Sequence, residues 1–138
     1  MFNALDVSTS ALVAQRIRLN AISSNIANLS TTHNEAGQRV PYQPKFVIFQ
    51  AEEVSPELGQ LGAAGVRVAS VETAQVEPRL KFQPKHPDAD ANGYVAYPNI
   101  DMTAEFVDAL EASRAYEANV GVMEITKNLS NQTLKILV

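Results

Sequence analysis

The 138-residue sequence contains no cysteine, so disulfides, thiolate metal sites and cysteine nucleophiles are all excluded. Tryptophan is absent too, and aromatic residues make up only 7%, too few to suggest an aromatic-lined ligand pocket. No run of lysine or arginine occurs and the formal charge is −4, which argues against nucleic-acid or anionic-membrane partners. No apolar stretch approaches the ~18–20 residues of a membrane span. Met1-Phe2-Asn3-Ala4-Leu5-Asp6 lacks the basic and apolar regions of a cleaved secretory signal. Nor is there a glycine-rich phosphate loop or a nucleophile elbow. The chain is expected to have no cofactor and no small-molecule substrate.

Proline and glycine are missing from residues 5–29, which therefore read as one helix. Leu5, Leu12, Leu19 and Ile26 recur every seven residues, and Ile22 and Leu29 widen that stripe. Val13 and Ile17 form a second strip, whereas Ser8 and Gln15 interrupt the seam. Two strips predict contact with more than one neighbour.

The other end of the chain is equally regular. Asp101, after Pro98-Asn99-Ile100, is placed to cap a helix that runs to the C-terminus. Glu105, Asp108 and Glu111 come early in it and Lys127 and Lys135 late, matching the helix dipole. Met102, Phe106, Tyr116, Val120, Met123, Leu134 and Leu137 fall on an alternating four-three spacing, as a coiled-coil seam requires. Ala115, Val122, Leu129 and Ile136 add a flanking stripe. Lys127 and Ser130 on the seam are either a polar layer that sets register or the point where the seam shifts to that stripe. Arg114 stands one turn from Glu111 and Glu117, so a local ion pair is its simplest reading.

All seven prolines lie between these helices. Lys45–Gln50, the stretch beginning at Val66, Val76–Phe82 and Tyr94–Tyr97 read as strands. Asp90-Ala91-Asn92-Gly93 is a turn signal, and residues 52–65 read as a loop. The expected fold is α+β. Residues 1–32 and 98–138 pair as an antiparallel helical hairpin or coiled coil, the assembly domain. Residues 33–97 form a small β-rich outer domain projecting from its far end. Two helices cannot bury every stripe between themselves, so the surplus calls for other chains.

Two stretches carry a family resemblance. Ala21-Ile22-Ser23-Ser24-Asn25-Ile26-Ala27-Asn28-Leu29-Ser30-Thr31-Thr32 resembles the N-terminal signature of bacterial flagellar rod and hook proteins. Pro98-Asn99-Ile100-Asp101, Glu105 and Glu111-Ala112-Ser113-Arg114-Ala115-Tyr116-Glu117-Ala118-Asn119 resemble the matching C-terminal signature. Ser24 stands where many members carry asparagine. Chain length and the run Asp88–Val95 are similar to a short member of the proximal rod, not to the longer hook and distal-rod proteins.

The resemblance implies a structural subunit of a hollow shaft that carries motor torque across the periplasm. It implies partners that are copies or relatives of the chain, and passage through the flagellar type III export apparatus without a cleaved signal. The stripes and signatures together give a candidate assembly interface of Leu5, Leu12, Leu19, Ile22, Asn25, Ile26, Asn28, Met102, Phe106, Arg114, Tyr116, Asn119, Val120, Met123, Leu134 and Leu137. Asn25 and Asn28 serve either intersubunit hydrogen bonds or plain helix termination.

Rival readings are another short rod protein, a soluble coiled-coil adaptor, or a metal-dependent enzyme using His86, Asp88 and Asp90. The last is disfavoured because zinc needs three or four rigidly held ligands and His33 is distant in sequence.

Overall fold

The structure, a computed structural model, describes residues 2–52 and 65–136. Its elements are α1 (Phe2–Ala27), β1 (Lys45–Ala51), β2 (Val66–Thr73), β3 (Arg79–Phe82), β4 (Tyr94–Tyr97) and α2 (Met102–Ile136). The expected loop at 52–65 lies mostly outside the described residues.

α1 ends where Asn28 turns the chain. Its backbone N–H and its side-chain Nδ2 both donate to the Ser24 carbonyl, at 3.1 and 2.8 Å. Its Oδ1 accepts the Thr31 hydroxyl at 3.0 Å, closing the last turn. At the start of α2, Asp101 Oδ1 accepts the Thr103 N–H at 2.9 Å, as an N-cap should. Pro98 and Ile100 are buried just before it, fixing the direction in which α2 departs.

The two helices are antiparallel and packed together. Arg18 reaches Asp108 and Glu111 at 3.5 and 3.4 Å, and Asn25 reaches Glu105 at 3.1 Å. Opposed residue numbers thus add up to about 129, and with equal rise on both helices α1 is exhausted near residue 127 of α2. From Leu129 to Ile136 α2 overhangs the start of α1 by roughly 12 Å.

The β strands form two separate antiparallel pairs, β1 with β2 and β3 with β4. In the first, the register slips between Ile48 and Phe49, so that Ala69 has no opposite residue. This hairpin does not project from the helices. One end is tied to Asn25 through Lys45, and the other meets Ser10, whose Oγ accepts the Val66 N–H at 3.1 Å. The helix between Ser10 and Asn25 is ~22 Å long and β1 spans ~20 Å, so strand and helix run side by side. A Cβ at Gly65 would lie 2.9 Å from Ser10 Oγ, which shows how closely the hairpin sits.

α1 is therefore the central element. It touches α2 on one side and β1 and β2 on the other, whereas among the described elements α2 touches α1 alone. The second hairpin follows the expected turn. Asp90 Oδ1 accepts the N–H groups of Asn92 and Tyr94, and Gly93 takes a φ of +82° that a side chain would resist. The accessible surface is 9951 Å², against roughly 7000 Å² for a compact protein of 15.0 kDa.

Candidate assembly interface

Among the described residues Asn25 is the most connected polar residue, and only 2% of it is exposed. Its Nδ2 donates to the Lys45 carbonyl at 2.8 Å and to Glu105 Oε1 at 3.1 Å. Its Oδ1 accepts the Lys45 N–H at 2.8 Å and the Tyr42 hydroxyl at 3.2 Å. Two donors and two acceptor positions are all filled within the chain. Asn25 thus joins α1, β1 and α2 at one point, a role that is neither helix termination nor a bond to a neighbour. Asn28 closes the helix. Tyr42 also meets Ser24 Oγ at 3.1 Å, so the serine that replaces the commoner asparagine still has a partner.

Glu105 sits beside this knot. Burial raises its carboxyl above the ordinary value, the Asn25 hydrogen bond opposes that shift, and the charge of Asp108 adds to it. Among the described residues no cation pairs with it, since Arg18 is taken by Asp108 and Glu111.

The face of α2 that meets α1 consists of Glu105, Ala109, Ala112, Asn119, Met123 and Thr126, at least half-buried, with Ala112 fully buried. It shares only some positions with the seam expected from sequence. Small and polar side chains meet α1, while Met102, Phe106 and Leu134 are exposed. Val120 and Met123 are half-buried, as are Leu5, Leu12, Leu19, Ile26, Asn28 and Asn119, whereas Ile22 is buried. Tyr116, on the seam expected from sequence, is also exposed. Leu137 lies outside the described residues. Arg114 is exposed and, among the described residues, ion-pairs with neither Glu111 nor Glu117; Glu111 turns to Arg18.

Opposite that face runs an exposed row that includes Val122 and Leu129 of the flanking stripe expected from sequence. Val107, Leu110, Arg114, Ala118, Val122, Ile125 and Leu129 are all exposed and follow the 3.6-residue period of a straight helix. A search for a 3.5-residue seam passes over its other members, Val107, Leu110, Ala118 and Ile125, although their spacing is present in the sequence. Such a row, apolar except for Arg114, is a surface for packing another helix.

The sequence-proposed metal loop is occupied by other bonds. The fold brings His33 to Asp88 despite their separation, with Nε2 3.3 Å from Oδ1. Asp88 Oδ2 accepts the Thr32 hydroxyl at 2.8 Å, and His86 Nδ1 accepts the Asp88 N–H at 3.1 Å. Arg39 donates to the carbonyls of Ala89 and Pro87. These contacts pin the segment after α1 to the β3–β4 connection. Among the described residues no group of three or more ligating side chains suits a metal ion, and no helix is long and apolar enough to cross a membrane.

Known proteins carry the same pattern at both ends. The family described as Flagella basal body rod protein matches residues 5–33, and Flagellar basal body rod FlgEFG protein C-terminal matches residues 91–136. The flagellar basal-body rod protein FlgC of Yersinia enterocolitica is 45% identical, over 99% of this chain and 97% of its own length. FlgC of Bacillus subtilis is 39% identical, over 98% of this chain and 97% of its own. The Aquifex aeolicus protein of that name is 34% identical, over 98% and 96%. The two signature regions cover α1 and α2, the elements whose faces have just been described, and the identity extends through the hairpins between them. The chain belongs to the FlgC family of flagellar basal-body rod proteins, and it is a structural subunit, not an enzyme.

Proposed function

We propose that the chain serves in the proximal rod, as one unit of a hollow shaft that transmits motor torque across the periplasm. Copies of the chain and other rod proteins are its neighbours, and it reaches them through the flagellar type III export apparatus without a cleaved signal. Residues 1–32 with 98–138 act as the assembly domain and residues 33–97 as the outer part. The observation that supports this reading is the exposed row on α2, from Val107 to Leu129. A helix that touches α1 alone among the described elements, and whose opposite face is an exposed apolar row, has surface that another molecule can cover. Of the interface proposed from sequence, the exposed members Met102, Phe106, Arg114, Tyr116 and Leu134 are free to take part. Contacts made with different faces towards successive neighbours generate an open helix. Packed helices then resist twisting, because close-packed interiors hardly compress.

The double substitution Val122→Ser with Ile125→Ser tests this. Both side chains are exposed, so the isolated chain should keep its fold and lose at most ~0.5 kcal/mol of stability. The protein should disappear from purified basal bodies and the cells should stop swimming. Normal incorporation and motility would overturn the assignment of this row. His86→Ala should leave motility intact, as a metal-dependent enzyme would not allow.

A further inference from the structure

Asn92-Gly93 is the one place where asparagine precedes glycine; every other asparagine precedes a residue with a side chain. With no Cβ to hinder it, a glycine nitrogen is the backbone atom best able to attack the side chain before it. A bond then forms between Gly93 N and Asn92 Cγ while the Cγ–Nδ2 bond breaks. The hydrogen lost from Gly93 N leaves on ammonia, and a cyclic imide remains. Water opens that imide in one of two ways. Attack at the side-chain carbonyl gives aspartate, and attack at the backbone carbonyl gives isoaspartate, with an extra methylene in the main chain.

The folded turn opposes the first of these steps, although Asn92 itself is exposed. The Gly93 N–H is donated to the Asp90 carbonyl at 3.0 Å, and the Asn92 N–H to Asp90 Oδ1 at 2.8 Å. Bonds on both sides of its Cα keep Asn92 from turning its side chain towards Gly93 N. The same Oδ1 accepts the Tyr94 N–H at 2.8 Å, so one carboxylate grips the turn before and after the glycine. Space is short as well. A Cβ at Gly93 would lie 3.0 Å from Phe82 Cε2 and 3.1 Å from Pro84 Cβ, which leaves the glycine little room to swing.

We propose that Asn92 is a site of spontaneous deamidation gated by Asp90, closed while the turn is formed and open while the chain is unfolded. The products oppose refolding of the same turn. Isoaspartate displaces β4 by a methylene from the register that pairs Phe82 with Tyr94 and buries Val95 to 1% exposure. Aspartate adds a carboxylate to a loop that already holds Asp88 and Asp90. Among the described elements β3 and β4 touch only each other, so the damage stays in this hairpin and spares the packing of α1 on α2. The modification therefore marks chains by the time they have spent unfolded. It goes beyond the rod-subunit reading and does not depend on it.

The full-length chain is aged in warm, mildly alkaline buffer, with and without urea, then digested and followed by mass spectrometry. Isoaspartate is counted separately by enzymatic methylation. In urea Asn92 should be modified first among the asparagines, and in the folded chain roughly tenfold more slowly or less. Asp90→Ala should raise the native rate several-fold and leave the rate in urea unchanged. Asp90→Asn keeps an acceptor oxygen at that position, so it should stay slow. Circular dichroism of the helices shows that each variant is folded. Equal rates in folded and unfolded chain, or a native rate untouched by Asp90→Ala, would overturn the gate. So would an acceleration by Asp90→Asn as large as that by Asp90→Ala. Earlier modification of another asparagine in urea would overturn the site.

Discussion

α1 and α2 look alike in sequence, both long, both amphipathic and both almost free of helix breakers, yet the fold treats them differently. α1 lies between α2 and the β1–β2 hairpin, and among its described large apolar side chains only Val13 is strongly exposed. Among the described elements α2 has α1 as its single neighbour, and it leaves Met102, Phe106, Val107, Leu110, Val122, Ile125, Leu129 and Leu134 in water. The number of neighbours, not the content of leucine and isoleucine, separates a helix that stabilises the subunit from one that offers surface to others. α1 holds the molecule together. α2 is the half that remains to be used.

That contrast can be broken most severely at Asn25. Asn25→Ala would strand the N–H of Lys45 and the amide-bound carboxylate of Glu105 in a partly buried corner. A loss of about 3 kcal/mol is expected in denaturant unfolding, with α1 released from both neighbours. A loss below ~1 kcal/mol would show that the knot is not what centres α1.

Ala112→Leu attacks the same packing from the α2 side. Ala112 is fully buried against α1, so a larger side chain must push the helices apart. The expected cost is about 2 kcal/mol, visible as a lower thermal midpoint. Leucine placed at exposed Ala118 should cost almost nothing, which sharpens the distinction between the two faces of α2.

Gln15 gives an effect of opposite sign. Its Oε1 is buried with no hydrogen-bond partner among the described residues, and its row on α1 also holds Ser8, Ile22 and Asn25. Gln15→Met should stabilise the isolated chain by about 1 kcal/mol in urea unfolding. Unchanged or lower stability would indicate that the carbonyl is satisfied in solution.

The smallest effect concerns pH. Because burial lifts the Glu105 carboxyl above 4.5, the folded chain binds that proton more tightly than the unfolded chain does. Its contribution to stability is therefore full below that value and is lost as pH rises through the folded value. Glu105→Gln should flatten this slope, with a slight gain at neutral pH and none below about pH 4.5. Equal slopes in the two proteins would remove Glu105 from the account.

Much of this fold was legible because local chemistry decides it. The stretches without proline and glycine are the two helices, Asp101 caps α2, and Asp90-Ala91-Asn92-Gly93 makes the turn into β4. The two strips on α1 announced two neighbours. What they could not announce is that both neighbours belong to the same chain, since Lys45 and Ser10 meet their partners only after the hairpin folds back along the helix. The seam expected on α2 coincides with the packed face only in part, for a similar reason. Met102 and Phe106 are better seam residues by hydrophobicity, but Arg18 and Asn25 select the face bearing Glu105, Asp108 and Glu111. Likewise His33 reaches Asp88, beside His86, across more than fifty residues, a distance over which spacing carries no information.

Sequence by itself determined the helices, the turns, the absence of thiol chemistry and the kinship with flagellar rod proteins, since each depends on residue type and short-range order. Tertiary structure alone decided which faces are spent inside the subunit and which remain open. Burial is a property of neighbours, and the chain acquires neighbours only by folding.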